Sequence, residues 1–317
     1  MYFIKIKSLL ILYKPKFQLY MKIYDCFMFF DEEMLLDLRM NILNKYVDRF
    51  VITEATYMHS GRAKKLLFDI NKFSKFKDKI IYNVVDKQPA NIEIINKNDD
   101  SETKGKKLIH NSIKRENYQR DMGKKALKKA EEEDIILIND VDEIPNLDQV
   151  NFNNINKKLI IFKQKTFYYK FNLMYENLTW HGSKACKKKD LISPQWLRNI
   201  KHKKYPFWRL DIILSKKKHI NIHYIENGGW HFTNMKSPEN LEKKFLNFLH
   251  HQDFEASGLK LENIKEMVKS KKILYDLGID QRDYKWSGIK TLHKVGLSEM
   301  PDYLSYNHKK YSDWLEI

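Results

Sequence analysis

The stretch ILINDVDEIP, Ile136 to Pro145, gathers Asp140, Asp142 and Glu143 at the end of an apolar run. In an extended chain, residues two apart lie about 6.6 Å from each other and point to one side. Asp140 and Asp142 can therefore converge on one cation. Oxygen donors of this type suit Mg2+ or Mn2+, ions that commonly bridge to substrate phosphates. Ionised carboxylates beside a core are costly unless a cation meets them. A solvated turn in which either Asp caps a helix near Pro145 is the competing reading, and an isolated Asp-x-Asp does not separate the two.

The elements around this segment have to bring such residues together. Ile135 to Ile138 reads as a strand buried on both faces, as parallel strands are. Pro145, which has no N–H to give to a sheet, ends it. Open α/β sheets bind ligands at the carboxyl ends of such strands. KIYDCFMFF (Lys22 to Phe30) is a strand, and DEEMLLDLRMNILNKYV a helix that Asp31 can cap. RFVITEA is a second strand, RAKKLLFDINKFSKF a second helix and KIIYNVV a third strand. Asn96 to Lys107 reads as a mobile loop. A long helix, from about His110 to Glu133, leads into the acidic strand. This alternation predicts an α/β fold with a mostly parallel central sheet flanked by helices. Further on, KLIIFKQKTFYYKFNLMYE reads as a long aromatic strand, and Ser237, Pro238 and Glu239 open a helix. Residues 21–255 are expected as one domain and 256–317 as a basic, helical to irregular appendage. Residues 1–20 read as a dispensable extension, with Met21 an alternative start.

Composition narrows the class. The 317 residues carry a net charge of +17, most of the excess being lysine scattered over surfaces. That pattern reads as solvated faces, and no specific nucleic-acid partner is expected. The runs KACKKK and KHKKYPFWR do interleave lysine with aromatics, as single-strand binders can, so a basic nucleic-acid-binding protein is the main alternative function. Cys26 and Cys186 are too few for a disulfide framework and fit a reducing compartment. The longest uncharged run near the N-terminus, Ser8 to Tyr13, falls short of the ~20 residues of a membrane span. At most it fits a weak membrane-surface contact, and a cytoplasmic microbial or viral protein is expected.

Five stretches, in order, resemble glycosyltransferase family 17. They are IYDCFMFFDEEMLLDLRMNIL, FVITEATYMHSGRAKKLLF, RENYQRDMGKKAL, LINDVDEIP and GGWHFTNMKSPENLEKKFLNFLHHQDFE, spanning roughly Met21 to Glu255. Met58 and Thr233 stand where the family usually has Thr and Ser. Animal members are β-1,4-mannosyl-glycoprotein 4-β-N-acetylglucosaminyltransferases. The resemblance implies a GT-A-like nucleotide-diphospho-sugar fold, a UDP-sugar donor (UDP-GlcNAc), a glycan acceptor and inversion at the anomeric carbon.

On that basis Asp142 binds the metal directly, Asp140 holds it through water or touches the donor ribose, and His231 is a third ligand. Glu143 supports these ligands without touching the metal. Gly228 and Gly229 let backbone approach the diphosphate. For His231 the competing reading is a hydrogen-bonded core histidine beside Trp230. Glu54 is placed to meet the uracil or ribose, or else to pair with Lys64 or Arg62. Arg62, Lys65 and Arg120 are assigned to the diphosphate, with Arg115 expected to be exposed. Trp180 is the acceptor-site aromatic. Inversion needs a general base, for which Glu226 leads Asp211 and Asp253. A metal-dependent phosphohydrolase would share the acidic strand end but would need more ligands.

Overall fold

Alternation along two strands sets the layout. On β1 (Ile23–Met28) and β4 (Ile135–Asp140), Tyr24, Cys26, Ile136 and Ile138 pack to one side of the sheet and Phe27, Ile135 and Leu137 to the other. The second side is closed by α1 (Glu33–Leu43), whose Leu35, Leu36, Leu38 and Leu43 are buried. The computed structural model describes residues 21–148, 150–206, 208–246, 254, 257–277 and 290–316.

Besides β1 and β4, the larger sheet contains β2 (Arg49–Ala55), β3 (Ile80–Val85), β6 (Leu159–Phe162), β9 (Lys184–Lys187) and β10 (Ile222–Ile225). Its order is β10-β6-β9-β4-β1-β2-β3, and every pairing is parallel except the two made by β9. The smaller sheet contains β5 (Glu143–Pro145), β7 (Gln164–Tyr168), β8 (Leu173–Trp180), β11 (Gly229–Thr233) and β12 (His293–Lys294), in the order β12-β8-β7-β11-β5. Helices flank the sheets, as the alternation of elements in the sequence predicts.

Several local expectations are corrected. The 96–107 segment is not all loop: Asp100 accepts the Thr103 amide and starts α2 (Ser101–Met122). This helix is polar on most of its surface, so hydrophobic spacing does not reveal its first turns. It also ends by Met122, giving way to a 3-10 turn over Gly123–Lys129. The second predicted helix is irregular until the 3-10 turns of Ile70–Lys79, because the Glu54 carboxylate takes the amides of Leu67 and Phe68. The long aromatic strand is broken into β6, β7 and β8, with Tyr169 at φ 63° between the last two. Residues 290–316 are more integrated than an appendage: β12 extends the smaller sheet, and Leu304 and Tyr311 enter the main core. The 1–20 extension lies outside the described residues.

One buried ion pair fixes the strand end. Asp25 of β1 faces the α1 side, where Arg39 donates to it through Nε (2.8 Å) and Nη2 (2.5 Å). The third arm, Nη1, donates to the carbonyls of Asp140 (3.2 Å), Val141 (3.4 Å) and Glu143 (2.5 Å). Asn139 adds a 2.7 Å bond to Asp25. Replacing Arg39 with Met leaves Asp25 and these carbonyls buried without their partner. Breaking a buried pair in this way costs about 3–5 kcal/mol. Urea unfolding of Arg39→Met should register a loss of that size.

Candidate active site

Asp140 is the last residue of β4, two beyond Ile138, so it faces the side covered by α2 and α3 (Pro194–Arg198). Both helices send it an arginine. Arg120 donates to Asp140 Oδ1 at 3.0 Å and Arg198 to Oδ2 at 2.6 Å. Burial opposes ionisation of Asp140, but Arg198 and then Arg120 overcome it and hold the carboxyl well below its usual range.

Arg198 also grips Glu143, with Nη1 to Oε2 at 2.6 Å and Nη2 to Oε1 at 2.7 Å. The Trp180 indole N–H donates to Glu143 Oε1 (2.5 Å), and the Asp140 amide to Oε2 (2.9 Å). Burial raises Glu143 and Arg198 more than offsets it, so this acid too stays ionised. Gly182 makes room for the arrangement: a Cβ there would lie 1.9 Å from Glu143 Oε1 and 2.3 Å from Trp180 Nε1. Beneath α3, Lys184 donates to the carbonyls of Arg198 (2.5 Å) and Ile200 (2.8 Å).

Asp142 is treated differently. Burial, followed by the charges of Glu143 and Asp140, pushes its carboxyl up to about 8. His231 Nε2 lies 3.8 Å from its Oδ2, and the Lys244 charge of α5 (Pro238–Phe245) partly offsets the rise. His231 is held by strand pairing opposite Glu143 and by a stack on Trp180, 4.5 Å between centroids and 18° from coplanar. Burial pushes this imidazole down to about 4, so it is neutral. Its Nδ1 is buried without a hydrogen-bond partner.

Among the described residues, no three His, Cys, Asp or Glu are grouped to hold a metal. The donor chemistry nevertheless fits a hard divalent ion that takes two protein ligands and fills its remaining positions from phosphate and water. Asp142 and His231 are the two side chains that could serve. The oxygens of Asp140 are engaged by arginines, so Asp140 is not set to be a direct ligand.

A second cluster lies at the end of β2. Glu54 is fully buried within the strand rather than beyond it, and accepts from Lys64, the Leu67 and Phe68 amides and the Tyr82 hydroxyl (2.8 Å). Its pairing with Lys64 is the structural alternative that the sequence left open. Arg62 and Lys65 lie exposed on the adjoining loop. Arg115, expected to be exposed, is buried: it bonds Gln88 (2.8 Å) and the His59 carbonyl (3.1 Å), against Gly61. Gln119, one helical turn on, meets His59 (3.3 Å) and the Thr53 carbonyl (3.1 Å).

Other expected residues fall elsewhere. At Gly228 and Gly229 a Cβ would meet the backbone of 162–163 and of 144–146 respectively, so the close approach there is chain against chain. Gly229 has φ +124°, a further reason for glycine. Asp211 lies on an exposed loop, where Arg209 and Lys218 hold its carboxyl down to about 2. A base that weak is poorly matched to taking a hydroxyl proton. Glu226, its side chain 70% exposed, pairs with Lys163 at 2.6 Å. It edges a groove of about 430 Å³ whose wall includes Thr179 and His181, the chain neighbours of Trp180. Asp253 lies outside the described residues.

Four residues of the site escaped the sequence reading: Asp25, Arg39, Lys184 and Arg198. Two had signals. Asp25 is a charge inside an apolar strand, and Arg39 occupies the i, i+4, i+8 row with Leu35 and Leu43. Arg198 follows a well-formed start, Ser193 capping and Pro194 in the first turn, but nothing local says where its helix packs.

The family model for glycosyltransferase family 17 matches residues 12–192. That span includes the acidic strand end and Trp180, while Arg198 and His231 lie beyond it. A comparison with curated proteins finds no match.

Two outcomes follow from this geometry. Gly182→Ala pushes into Glu143 and Trp180, an overpacking that costs about 1–3 kcal/mol. It should lower urea stability and alter tryptophan fluorescence together. Burial, aided by the Arg198 charge, pushes the Lys184 ammonium down to about 7. An unfolded lysine titrates near about 10.4, so between those values the unfolded chain binds more protons and stability rises with pH. The wild type should gain on Lys184→Met across that window when unfolding free energies are compared below and above it.

Proposed function

The chain belongs to glycosyltransferase family 17, and on that premise we propose an inverting, metal-dependent transferase of GT-A type that moves GlcNAc from UDP-GlcNAc to a glycan hydroxyl. The observation that carries the metal-dependent part is Asp142: a half-buried carboxyl beside two carboxylates, facing a neutral imidazole, with no arginine of its own among the described residues.

Asp142 and His231 would hold Mn2+ or Mg2+. The bound ion would neutralise charge on the donor diphosphate and on the departing UDP. The chain does the rest. Arg120 and Arg198 fix Asp140 and Glu143, so that neither swings as the donor enters, and Asp140 is left to act through water or the ribose. Arg62 and Lys65, on the loop after β2, are assigned to the diphosphate. Glu54 is assigned to shaping that loop, because its oxygens already have four donors. Gly229 lets β11 approach β5 closely, with His231 opposite Glu143, and Gly228 lets the same segment lie against residues 162–163.

For the acceptor we assign the groove bordered by Lys163, Glu176, Thr179, His181 and Glu226, whose mixed polar and apolar wall suits a sugar. Glu226 is then the general base, paired with Lys163. Its exposure means that the acceptor itself must exclude water there.

Release of UDP from a panel of UDP-sugars, with and without Mn2+, tests the reading. Metal-dependent turnover of one donor, lost in Asp142→Ala, is expected. Glu226→Gln should lower acceptor-dependent kcat by about 10²–10⁴ while leaving slow donor hydrolysis intact. No turnover of any nucleotide sugar in the presence of metal would refute the assignment. Donor cleavage unaffected by every acceptor would point instead to a phosphohydrolase.

A further inference from the structure

Glycosyl transfer does not account for the loop over residues 201–220. Its base is tied: the Lys201 amide donates to the Lys217 carbonyl (2.8 Å) and the Trp196 indole to the Lys216 carbonyl (2.8 Å). The Trp196 ring also meets His219 edge-on, 5.9 Å between centroids. The tip carries large apolar side chains into solvent. Trp208 is 68% exposed, Leu210 76%, Leu214 88% and Ile220 56%. Leu210 and Leu214 are one turn apart across α4 (Leu210–Ile213), so they share a face, while Ile212 turns inward. Five lysines of the same loop are also exposed, Lys201, Lys216 and Lys217 at its base and Lys203 and Lys204 along it. The loop's single carboxylate, Asp211, is already held by Arg209 and Lys218.

We propose that this loop docks the enzyme on an anionic membrane surface, with Trp208, Leu210 and Leu214 entering the headgroup layer and the lysines meeting lipid phosphates. A tryptophan with aliphatic neighbours on a loop that also exposes five lysines is a composition suited to interfacial binding. A nucleic-acid strand would use the lysines and the tryptophan but would leave Leu210 and Leu214 in water, because bases stack on aromatic faces. The loop also begins three residues after Arg198, so the docked face adjoins the helix that grips Asp140 and Glu143. Three lysines of the KACKKK run do not add to this surface. Lys184 is buried under α3, and Lys187 and Lys189 pair with Glu133.

The test is flotation of the full chain with phosphatidylcholine vesicles, with and without phosphatidylglycerol, and needs no enzymatic activity. The wild type should float only with the anionic vesicles. Lys216→Ala/Lys217→Ala should weaken binding roughly 25-fold, at about 5-fold for each lysine near the surface. Trp208→Ser/Leu210→Ser/Leu214→Ser should weaken it at least about 10-fold while keeping an unchanged melting transition. Absence of vesicle binding overturns the proposal. So does binding that neither variant weakens, which would place the contact elsewhere in the chain. Salt-sensitive binding of an oligonucleotide that the serine variant retains, without vesicle binding, overturns it in favour of nucleic acid. A dimer that the serine variant dissolves, again without vesicle binding, overturns it in favour of self-association.

Discussion

Four carboxylates crowd one corner of this fold, and the structure depends on how their charge is met. Asp25, Asp140, Asp142 and Glu143 come from β1, the end of β4, the turn after it and the start of β5, and two buried arginines and one half-buried one answer them. Arg39 neutralises Asp25 and spends its third arm on the carbonyls of the acidic turn. Arg120 and Arg198 take Asp140, and Arg198 takes Glu143 as well. Three guanidiniums serve three carboxylates, and Asp142 is left over. That unmatched acid, held high by burial and by its two charged neighbours, rather than the Asp-x-Asp spacing, distinguishes a ligand-seeking site from a neutralised structural cluster.

How the residues reach that corner explains what the sequence could and could not reveal. The parallel strands were legible because doubly buried strands are long apolar runs, and Ile135–Ile138 is one. Asp140 and Asp142 were legible because they punctuate that run. Ser237 and Pro238 announce α5 with short-range chemistry, and the Ser237 hydroxyl does accept the Asn240 amide. What escaped was long-range. Arg198 lies 58 residues from Asp140 in the chain, and Arg39 lies 101 residues from the carbonyl it holds. No local period encodes such a meeting. The first turns of α2 and the irregular run after β2 escaped for another reason: polar caps and the Glu54 carboxylate decide them, not hydrophobic spacing.

The smaller sheet is what joins the acidic turn to the histidine. β5 is three residues long, yet it pairs with β11 and so sets Glu143 beside His231. That pairing needs Gly229 at φ +124°, because a side chain there would strike the Ile144 carbonyl. The same sheet reaches β12, so residues near the C-terminus buttress β8, the strand that ends in Trp180. The glycines of the GGWH segment are thus better understood as enabling strand contact than as making room for a ligand. Their effect on the site is indirect but strict, since displacing β11 would displace His231.

Arginine is the residue this corner demands, and lysine would not replace it. Arg198 donates to both oxygens of Glu143, to one of Asp140 and to the Gly182 carbonyl, all from a single planar fork. An ammonium is a point charge on a flexible stem and cannot hold four acceptors in fixed directions. Rigidity matters because Asp140 and Glu143 flank Asp142 in the chain, and any freedom in them would let one rotate towards whatever cation Asp142 attracts. With both neighbours fixed, the field at Asp142 is set before a ligand arrives. Preorganisation of this kind avoids reorganisation during reaction. It also accounts for the position of Lys184, which binds the carbonyls of Arg198 and Ile200 and keeps the last turn of α3 in place. The lysine acts on the backbone, where a point charge suffices, and the arginines act on the carboxylates, where direction decides.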